Sequence, residues 1–320
     1  MTPPGPIEVI GHYDVRALLR TVRAPSLAFV GPASVGRLAV ARWWAAWLNC
    51  ESPGDDPCGR CASCSAAALD AHPDLMVKGP PATTKSGRSS LRPVLRIDQM
   101  VPRGGATADP EPLARFLETR PRFTRRVGIV DDADTLGEGA ANAFLKVLEE
   151  PPSWATIVLI APSPGALLPT VASRCLVVRF GAAPTEGYAD LAPHPALRSG
   201  QLGRLRSARD DPASEKELRS ATVRLVAALN GPLDEAFAAG EAWVALWTSH
   251  ASLAPGERLL EQLRSDAPHR YPSALDAVRE AEDALRAYAT ASVVAHALTL
   301  RLRGHRFEGR SSSSAGTASR

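Results

Sequence analysis

Two glycines with four residues between them follow the short apolar run 26–30. They are Gly31 and Gly36, and an apolar stretch with helical spacing comes next. A strand, a glycine-rich loop and a helix in this order are typical of a loop whose backbone N–H groups cradle phosphates. In that template the second glycine is followed by Lys, which reaches the phosphates, and by Ser or Thr, which binds magnesium. Here the two positions hold Arg37 and Leu38.

These two residues predict a phosphate loop that has lost its chemistry. The planar guanidinium of Arg37 does not replace a compact ammonium, and Leu38 offers no oxygen to magnesium. Without the metal ion, a transferring phosphoryl group loses the main stabiliser of its charge. We therefore expect no ATP hydrolysis, and weak or absent nucleotide binding. Taken alone, the motif is also compatible with an ordinary glycine-rich turn.

Carboxylates end a second apolar run, which begins at Arg126. Asp131 and Asp132 follow it directly, and carboxylates at the end of such a strand can hold magnesium and polarise water beside a nucleotide. An intact ATPase of this type usually has Asp-Glu at this point. Asp132 has one methylene less than the activating Glu, which further weakens the case for hydrolysis.

Four of the five cysteines are crowded into fifteen positions: Cys50, Cys58, Cys61 and Cys64. Four thiolates at this spacing suit tetrahedral zinc, which prefers sulfur ligands at structural sites. Four protein ligands leave no open position for water, so we expect the metal to stabilise a small knuckle and not to catalyse. The alternative is four unrelated thiols, which without a metal would be exposed to oxidation. His72 is a spare candidate ligand, although a packed histidine is the simpler interpretation.

The elements that must position these groups alternate between strands and helices up to about residue 180. Such alternation predicts a doubly wound parallel α/β domain. A helix over 138–149 is indicated by its apolar spacing and by the prolines that follow. From residue 184 onward the helical spacing of Ala, Leu, Arg and Glu predicts an all-helical second half. The strand candidates are 26–30, 75–77, 126–131, 156–160 and 175–180.

The predicted domain organisation follows from this change of pattern. The segment 79–91 is rich in Pro, Gly, Ser and Thr, and is interpreted as a surface insertion. The serine-rich end cannot bury enough apolar surface to offset its ordering entropy, so we expect a disordered tail. The predicted boundaries are 1–181 for the α/β domain with its cysteine module at 50–64, 182–213 for a small helical lid, 214–304 for a helical collar and 305–320 for the tail.

Charge and hydropathy exclude some classes of protein. The net charge of +3 over 320 residues is too small to indicate a chain coated in nucleic acid. No stretch of about 18 consecutive apolar residues is present, and the N-terminus lacks the pattern of a signal peptide. These features, with cysteines suited to a metal site, lead us to expect a cytoplasmic protein.

Three successive motifs resemble those of clamp-loader subunits in the AAA+ superfamily. They are the acidic element 131–134, the segment 142–152 that ends in Glu-Glu-Pro-Pro, and the segment 168–175 that ends in Ser-Arg-Cys. The cysteine module after the phosphate loop is similar to that of the bacterial subunits. Arg37 and Leu38 favour their non-hydrolysing branch. Further similar segments are 72–74, 96–99 and 199–204, so that the resemblance covers roughly residues 8 to 210.

The resemblance implies an AAA+ domain, a lid and a collar that assembles with partner subunits. It implies that Arg174 acts as an arginine finger, in trans, on ATP bound by a neighbouring subunit. Arg204 stands where the second sensor arginine of the family would be, although a structural salt bridge is an equal alternative. The implied partners are the gamma/tau and delta subunits and, through the complex, the sliding clamp and primed DNA.

Two alternatives of other classes stay open at this point. A working ATPase similar to the gamma/tau motor would need an intact Lys-Ser/Thr pair, and Leu38 argues against it. A zinc-dependent DNA-binding module would need basic residues around the cysteines and a recognition helix, neither of which is evident.

Overall fold

The computed structural model describes residues 9–80, 94–103, 109, 111–191, 194, 196–249, 255–286 and 289–304. The chain forms two compact units that divide between Arg206 and Ser207. The predicted surface insertion lies outside the described residues from position 81 onward, and the predicted tail 305–320 lies wholly outside them.

The described part of the first unit contains five strands and nine helices, the last of which crosses the boundary between the units. The strands are β1 (Ser26–Val30), β2 (Leu75–Lys78), β3 (Arg126–Val130), β4 (Ala155–Ala161) and β5 (Leu176–Arg179). The helices are α1 (Tyr13–Thr21), α2 (Arg37–Asn49), α3 (Ala62–Ala68), α4 (Ile97–Met100), α5 (Leu113–Glu118), α6 (Glu138–Glu149), α7 (Pro169–Ala172), α8 (Ala196–Ser199) and α9 (Leu202–Asp210).

The five strands form one parallel sheet in the order β2-β3-β4-β1-β5. Every residue of β1 and β4 is buried, as expected for central strands of a sheet that has helices on both faces. Ala28 packs into the core on one face, together with Phe144 of α6. Phe29 packs into the core on the other face, together with Trp43 and Trp44 of α2. The predicted doubly wound α/β fold is confirmed.

The described part of the second unit contains helices and no strand, which confirms the predicted all-helical second half. Its helices beyond α9 are α10 (Pro212–Ala228), α11 (Leu233–Ser249), α12 (Pro255–Asp266), α13 (Tyr271–Arg286) and α14 (Ala291–Leu302). Trp243 is fully buried in their shared core. Its Nε1–H donates to Thr222 Oγ1 at 3.0 Å, and its ring meets that of Trp247 edge-on at 4.9 Å.

None of the described helices is long and apolar enough to cross a membrane. The division of the first 213 residues into an AAA+ domain and a separate lid stays a prediction.

Candidate functional site

The phosphate loop connects β1 to α2, and both of its glycines are needed. A side chain at Gly31 would place its Cβ only 2.4 Å from the carbonyl oxygen of Phe180. Gly36 has a φ of 105°, which L side chains rarely adopt. The loop therefore has the tight backbone of a phosphate cradle, as the glycine spacing predicted.

The guanidinium of Arg37 is held by the neighbouring strand β4. Its Nη1–H donates to the carbonyl oxygen of Ala161, the last residue of β4, and only 8% of the residue is exposed. Burial lowers the pKa of Arg37, although the nearby carboxylates, Asp131 first, oppose this. The guanidinium is thus already bonded inside the protein, and Leu38 beside it packs against the core of α2 and β1.

A cavity of about 460 Å³ opens beside the loop. That volume lies within the range of small-molecule sites. The walls combine two arginines and two carboxylates with apolar side chains. They are formed by Val9, Ile10, Ala33, Ser34, Gly36, Arg37, Leu38, Ala39, Asp131, Asp132, Ile160, Leu202, Gly203 and Arg206.

The acidic strand end lies on the wall of this cavity. Asp131 follows β3 and is half-buried, and burial raises its pKa, with the charge of Asp132 as the next cause. Asp132 is exposed and has a φ of 48°. The structure therefore brings the predicted loop and the predicted carboxylates together. The charge of Arg37 attracts Asp131, but a guanidinium has no lone pair to offer to a metal ion.

Backbone carbonyls of the loop are bonded to other parts of the first unit. The N–H of Gly203 donates to the Ser34 carbonyl oxygen at 2.8 Å. His12 Nε2 lies 2.7 Å from the Val35 carbonyl oxygen, which can only accept, so Nε2 carries the proton. The loop is held from two sides by its own chain.

Two arginines line the cavity, Arg37 and Arg206, and the sequence did not single out Arg206. Arg204 donates from Nη1 to Gln201 Oε1 and does not line the cavity. Arg204 and Arg206 both lie on α9, two positions apart, and therefore face different directions on the helix. The sensor role of Arg204 stays a prediction.

The four predicted cysteines meet at one point. Their sulfur atoms all lie within 4.8 Å of one another, and Cys58 Sγ is 3.9 Å from Cys64 Sγ. Tetrahedral zinc with Zn–S bonds of about 2.3 Å requires sulfur atoms about 3.8 Å apart, so the cluster fits such an ion. Backbone N–H groups donate to three of the sulfur atoms, those of Cys50, Cys58 and Cys61. The backbone N–H groups of Arg60, the larger cause, and of Cys61 lower the pKa of Cys58 to about 6.

Two tryptophans of α2 form hydrogen bonds to the knuckle, the cysteine-containing segment 50–64. Trp43 Nε1–H donates to Asp56 Oδ1 at 2.7 Å, and Trp47 Nε1–H donates to the Gly54 carbonyl oxygen at 2.9 Å. Arg16 of α1 forms an ion pair with the same Asp56. The knuckle therefore joins α1 to α2 and does not project freely.

His72 is a packed histidine and lies apart from the sulfur cluster. Its Nε2 is 3.0 Å from Ser63 Oγ, and its Nδ1 accepts the backbone N–H of Asp74 at 3.1 Å. Burial lowers the pKa of His72. Both ring nitrogens have protein partners, so His72 connects α3 to the start of β2.

Arg174 lies after α7, immediately before the edge strand β5. Its Nε–H donates to Glu149 Oε1 at 2.8 Å, and its Nη1–H donates to the Thr170 carbonyl oxygen at 2.7 Å. About one third of the surface of the Arg174 side chain, 34%, is exposed to solvent. An arginine at the sheet edge that still reaches solvent is compatible with contact to another molecule.

The fold and the site define the class of this protein. A parallel sheet of this order, with the loop after β1 and carboxylates after β3, is that of an AAA+ α/β protein. The loop lacks the lysine and the hydroxyl of an active ATPase. A family model described as "DNA polymerase III, delta subunit" matches residues 17–184, more than half of the 320-residue chain. The chain belongs to this family.

Curated relatives support the same family. The delta prime subunit of DNA polymerase III from Pseudomonas aeruginosa is 34% identical over 159 residues, which cover 49% of this chain and 43% of that protein. The tau subunit from Bacillus subtilis is 29% identical over 174 residues, covering 52% of this chain and 27% of that protein. The matched regions span less than half the length of either relative. The predicted resemblance to clamp-loader subunits, and to their delta prime branch, is confirmed.

A solved structure is also similar over most of its length. It is a gamma subunit-related protein of DNA polymerase III from Thermotoga maritima, with 18% identity and a TM-score of 0.49, covering 91% of this chain and 97% of that chain. A sequence identity of 18% gives no information about a shared function.

Proposed function

We propose that this chain is the delta prime, or stator, subunit of a bacterial DNA polymerase III clamp loader. In this role it helps to load the sliding clamp onto primed DNA, as part of a complex with gamma/tau and delta subunits. It hydrolyses no ATP itself. Family membership and the delta prime relatives support this proposal.

One observation carries the non-hydrolysing part of the proposal. The position that should offer a hydroxyl to magnesium is Leu38, and the neighbouring Arg37 donates to the carbonyl oxygen of Ala161. Phosphoryl transfer depends on positioning and on charge stabilisation by the metal ion. A phosphate loop that lacks both the lysine and the hydroxyl supports a subunit that does not hydrolyse ATP, and argues against an ATP-driven motor subunit.

Arg174 is the group that this chain supplies to its neighbour. An arginine finger in trans stabilises the charge that develops on the phosphoryl group, and is worth about 10³–10⁵ in rate in other enzymes. The Ser-Arg-Cys motif and the exposure of Arg174 at the sheet edge support this role. Gly31, Gly36, Asp131 and Asp132 remain as the degenerate nucleotide site.

The cysteine cluster holds a structural zinc ion in this proposal. Its four sulfur atoms leave no position for a reacting water, so the ion stabilises the knuckle. The helical lid and the collar complete the subunit, and the complex works in the cytoplasm.

The alternative is an active ATPase similar to gamma/tau. It is favoured by the tau and gamma/tau relatives, which are 29% and 30% identical, and by the cavity of about 460 Å³ beside the loop. This alternative predicts ATP turnover by the isolated chain, whereas the stator proposal predicts none.

Phosphate release and clamp loading together test the proposal. The isolated chain should release phosphate no faster than a blank. A mixture of gamma/tau, delta, sliding clamp and primed DNA should load clamps only when this chain is added. Turnover by the chain alone at the rate of gamma/tau would establish the alternative. Full loading without the chain would reject the stator role.

A further inference from the structure

The guanidinium of Arg174 is almost fully engaged by its own chain. Nε–H donates to Glu149 Oε1 at 2.8 Å, and Nη2 lies 2.5 Å from the same oxygen as part of an ion pair. Nη1 donates to the Thr170 carbonyl oxygen at 2.7 Å and to Ser173 Oγ at 3.4 Å. An arginine carries its five N–H donors on three nitrogens, and each of the three nitrogens thus contacts a group of the same chain.

A finger needs at least two of these donors for a phosphate. Arginine binds phosphate through two parallel N–H bonds, and that geometry is the source of its strength. Each such pair draws on two of the three guanidinium nitrogens, all of which contact groups of the same chain, so a phosphate must compete with those groups. A carboxylate in contact with the guanidinium also offsets the positive charge that would stabilise the transition state.

The acid that engages Arg174 stands at an unfavourable place for its own helix. Glu149 is the last residue of α6, and Glu150 follows it as the C-cap. The carboxyl end of a helix carries partial negative charge, so an acid there is destabilising unless a cation lies nearby. Arg174 supplies such a cation, and Lys146 lies in the same last turn of the helix.

We propose that Glu149 is a positioning residue that holds Arg174 in a withdrawn state, from which the finger is released when the phosphates of a neighbouring subunit's nucleotide compete for it. This inference rests on the proposed trans-acting role of Arg174. Both side chains are partly exposed, at 34% for Arg174 and 47% for Glu149. Exposed pairs of this kind are weak, of about 0.2–1 kcal/mol, so the negatively charged phosphates of a nucleotide can displace the carboxylate.

The test uses the reconstituted complex with clamp and primed DNA, and measures finger-dependent turnover. This quantity is the ATPase rate of the complex minus the rate of the same complex carrying Arg174→Ala. Glu149→Gln should raise it by about twofold to fivefold, since a competitor of that strength is removed. The gap between Glu149→Gln and wild type should narrow as salt is raised, because salt screens an exposed ion pair.

Two further variants separate positioning from a structural effect. Glu150→Gln removes the same charge from the next residue, which is exposed, and should leave turnover at the wild-type level. The double variant Glu149→Gln with Arg174→Ala should turn over ATP at the rate of Arg174→Ala alone, because Glu149 acts only through the finger. A structural role for Glu149 would change the rate in both backgrounds.

The outcomes distinguish the inference from the proposed function. If Arg174→Ala lowers turnover but Glu149→Gln leaves the finger-dependent part unchanged or lowers it, the withdrawn state is refuted and the finger stands. If Arg174→Ala has no effect in an intact complex, the finger is refuted and the inference with it.

Discussion

The backbone N–H of Gly203 donates to the carbonyl oxygen of Ser34 at 2.8 Å. This bond joins the first turn of α9 to the phosphate loop, 169 positions earlier in the chain. In an active ATPase the space beside such a loop is the place of a nucleotide. Here α9 is bonded to the loop itself, and Arg37 is bonded to β4.

The close approach of α9 predicts a penalty for a side chain at Gly203. A Cβ there would lie 3.3 Å from Ser34 Cβ, so Gly203→Val should push the helix from the loop and lower the free energy of unfolding by about 1–3 kcal/mol. Amide hydrogen exchange over residues 202–206 should become faster. Gly181→Val, where a Cβ meets nothing within 4 Å, is the control. Equal exchange in both variants would show that the contact is dispensable.

Asp74 is expected to be a major stabilising residue of the first unit. It is fully buried, and its two carboxylate oxygens accept the backbone N–H groups of Arg122 and Phe123 at 2.8 and 2.7 Å. Asp74→Ala leaves both donors unsatisfied, so denaturant unfolding should show a loss of about 3 kcal/mol or more. Asp70→Ala, at an exposed side chain paired with Arg42, should change stability by less than about 1 kcal/mol. A loss of similar size in both variants would contradict this account.

The metal content of the purified chain tests the cysteine cluster. We expect about one zinc ion per chain by elemental analysis, and a lower melting temperature after chelation. Cys61→Ser should remove most of the zinc. Cys175→Ser should keep it, since Cys175 is the one cysteine that does not belong to the sulfur cluster. Zinc retained in Cys61→Ser would refute a four-sulfur site.

Arg37→Ala should destabilise the chain in a pH-dependent way. The variant loses the bond to Ala161 and the attraction to Asp131, which together contribute about 1–3 kcal/mol at neutral pH. The attraction exists only while Asp131 is ionised, and burial holds the pKa of Asp131 above its ordinary value of about 4. The difference from wild type should therefore shrink as the pH falls through that raised pKa. Urea unfolding at neutral and mildly acidic pH measures this, with the exposed Arg23→Ala as control. A difference that grows on acidification would contradict the pairing.

The sequence predicted the elements of the first unit because their signals are local. Apolar runs bounded by turn formers indicated all five strands, with ends that agree or are shifted by one residue, as in β4, which runs from Ala155 to Ala161. The predicted helix 138–149 agrees with α6 at both ends, because Pro151 and Pro152 prevent its continuation. Four cysteines at metal-ligand spacing were equally sufficient to predict their cluster.

The contacts that decide the chemistry were not predictable in the same way. Glu149 and Arg174 are 25 positions apart, and Arg37 is bonded to a residue 124 positions away. Such pairs follow from the order of strands in the sheet, which no local pattern contains. The place of Arg206 in the cavity wall was not predictable either, since a sequence gives the position of an arginine but not the direction of its side chain.

The most direct test of the central claim is the ATPase rate of the complete clamp-loader complex, with clamp and primed DNA, when this chain carries Arg174→Ala. The ATPase site that the finger completes should become about 10³-fold slower or more. The total ATPase rate of the complex should therefore fall by the fraction that this site contributes. Arg179→Ala, at an exposed arginine of the same edge strand, should leave turnover unchanged. Wild-type turnover in an intact complex carrying Arg174→Ala would contradict the claim that this chain completes a neighbour's active site.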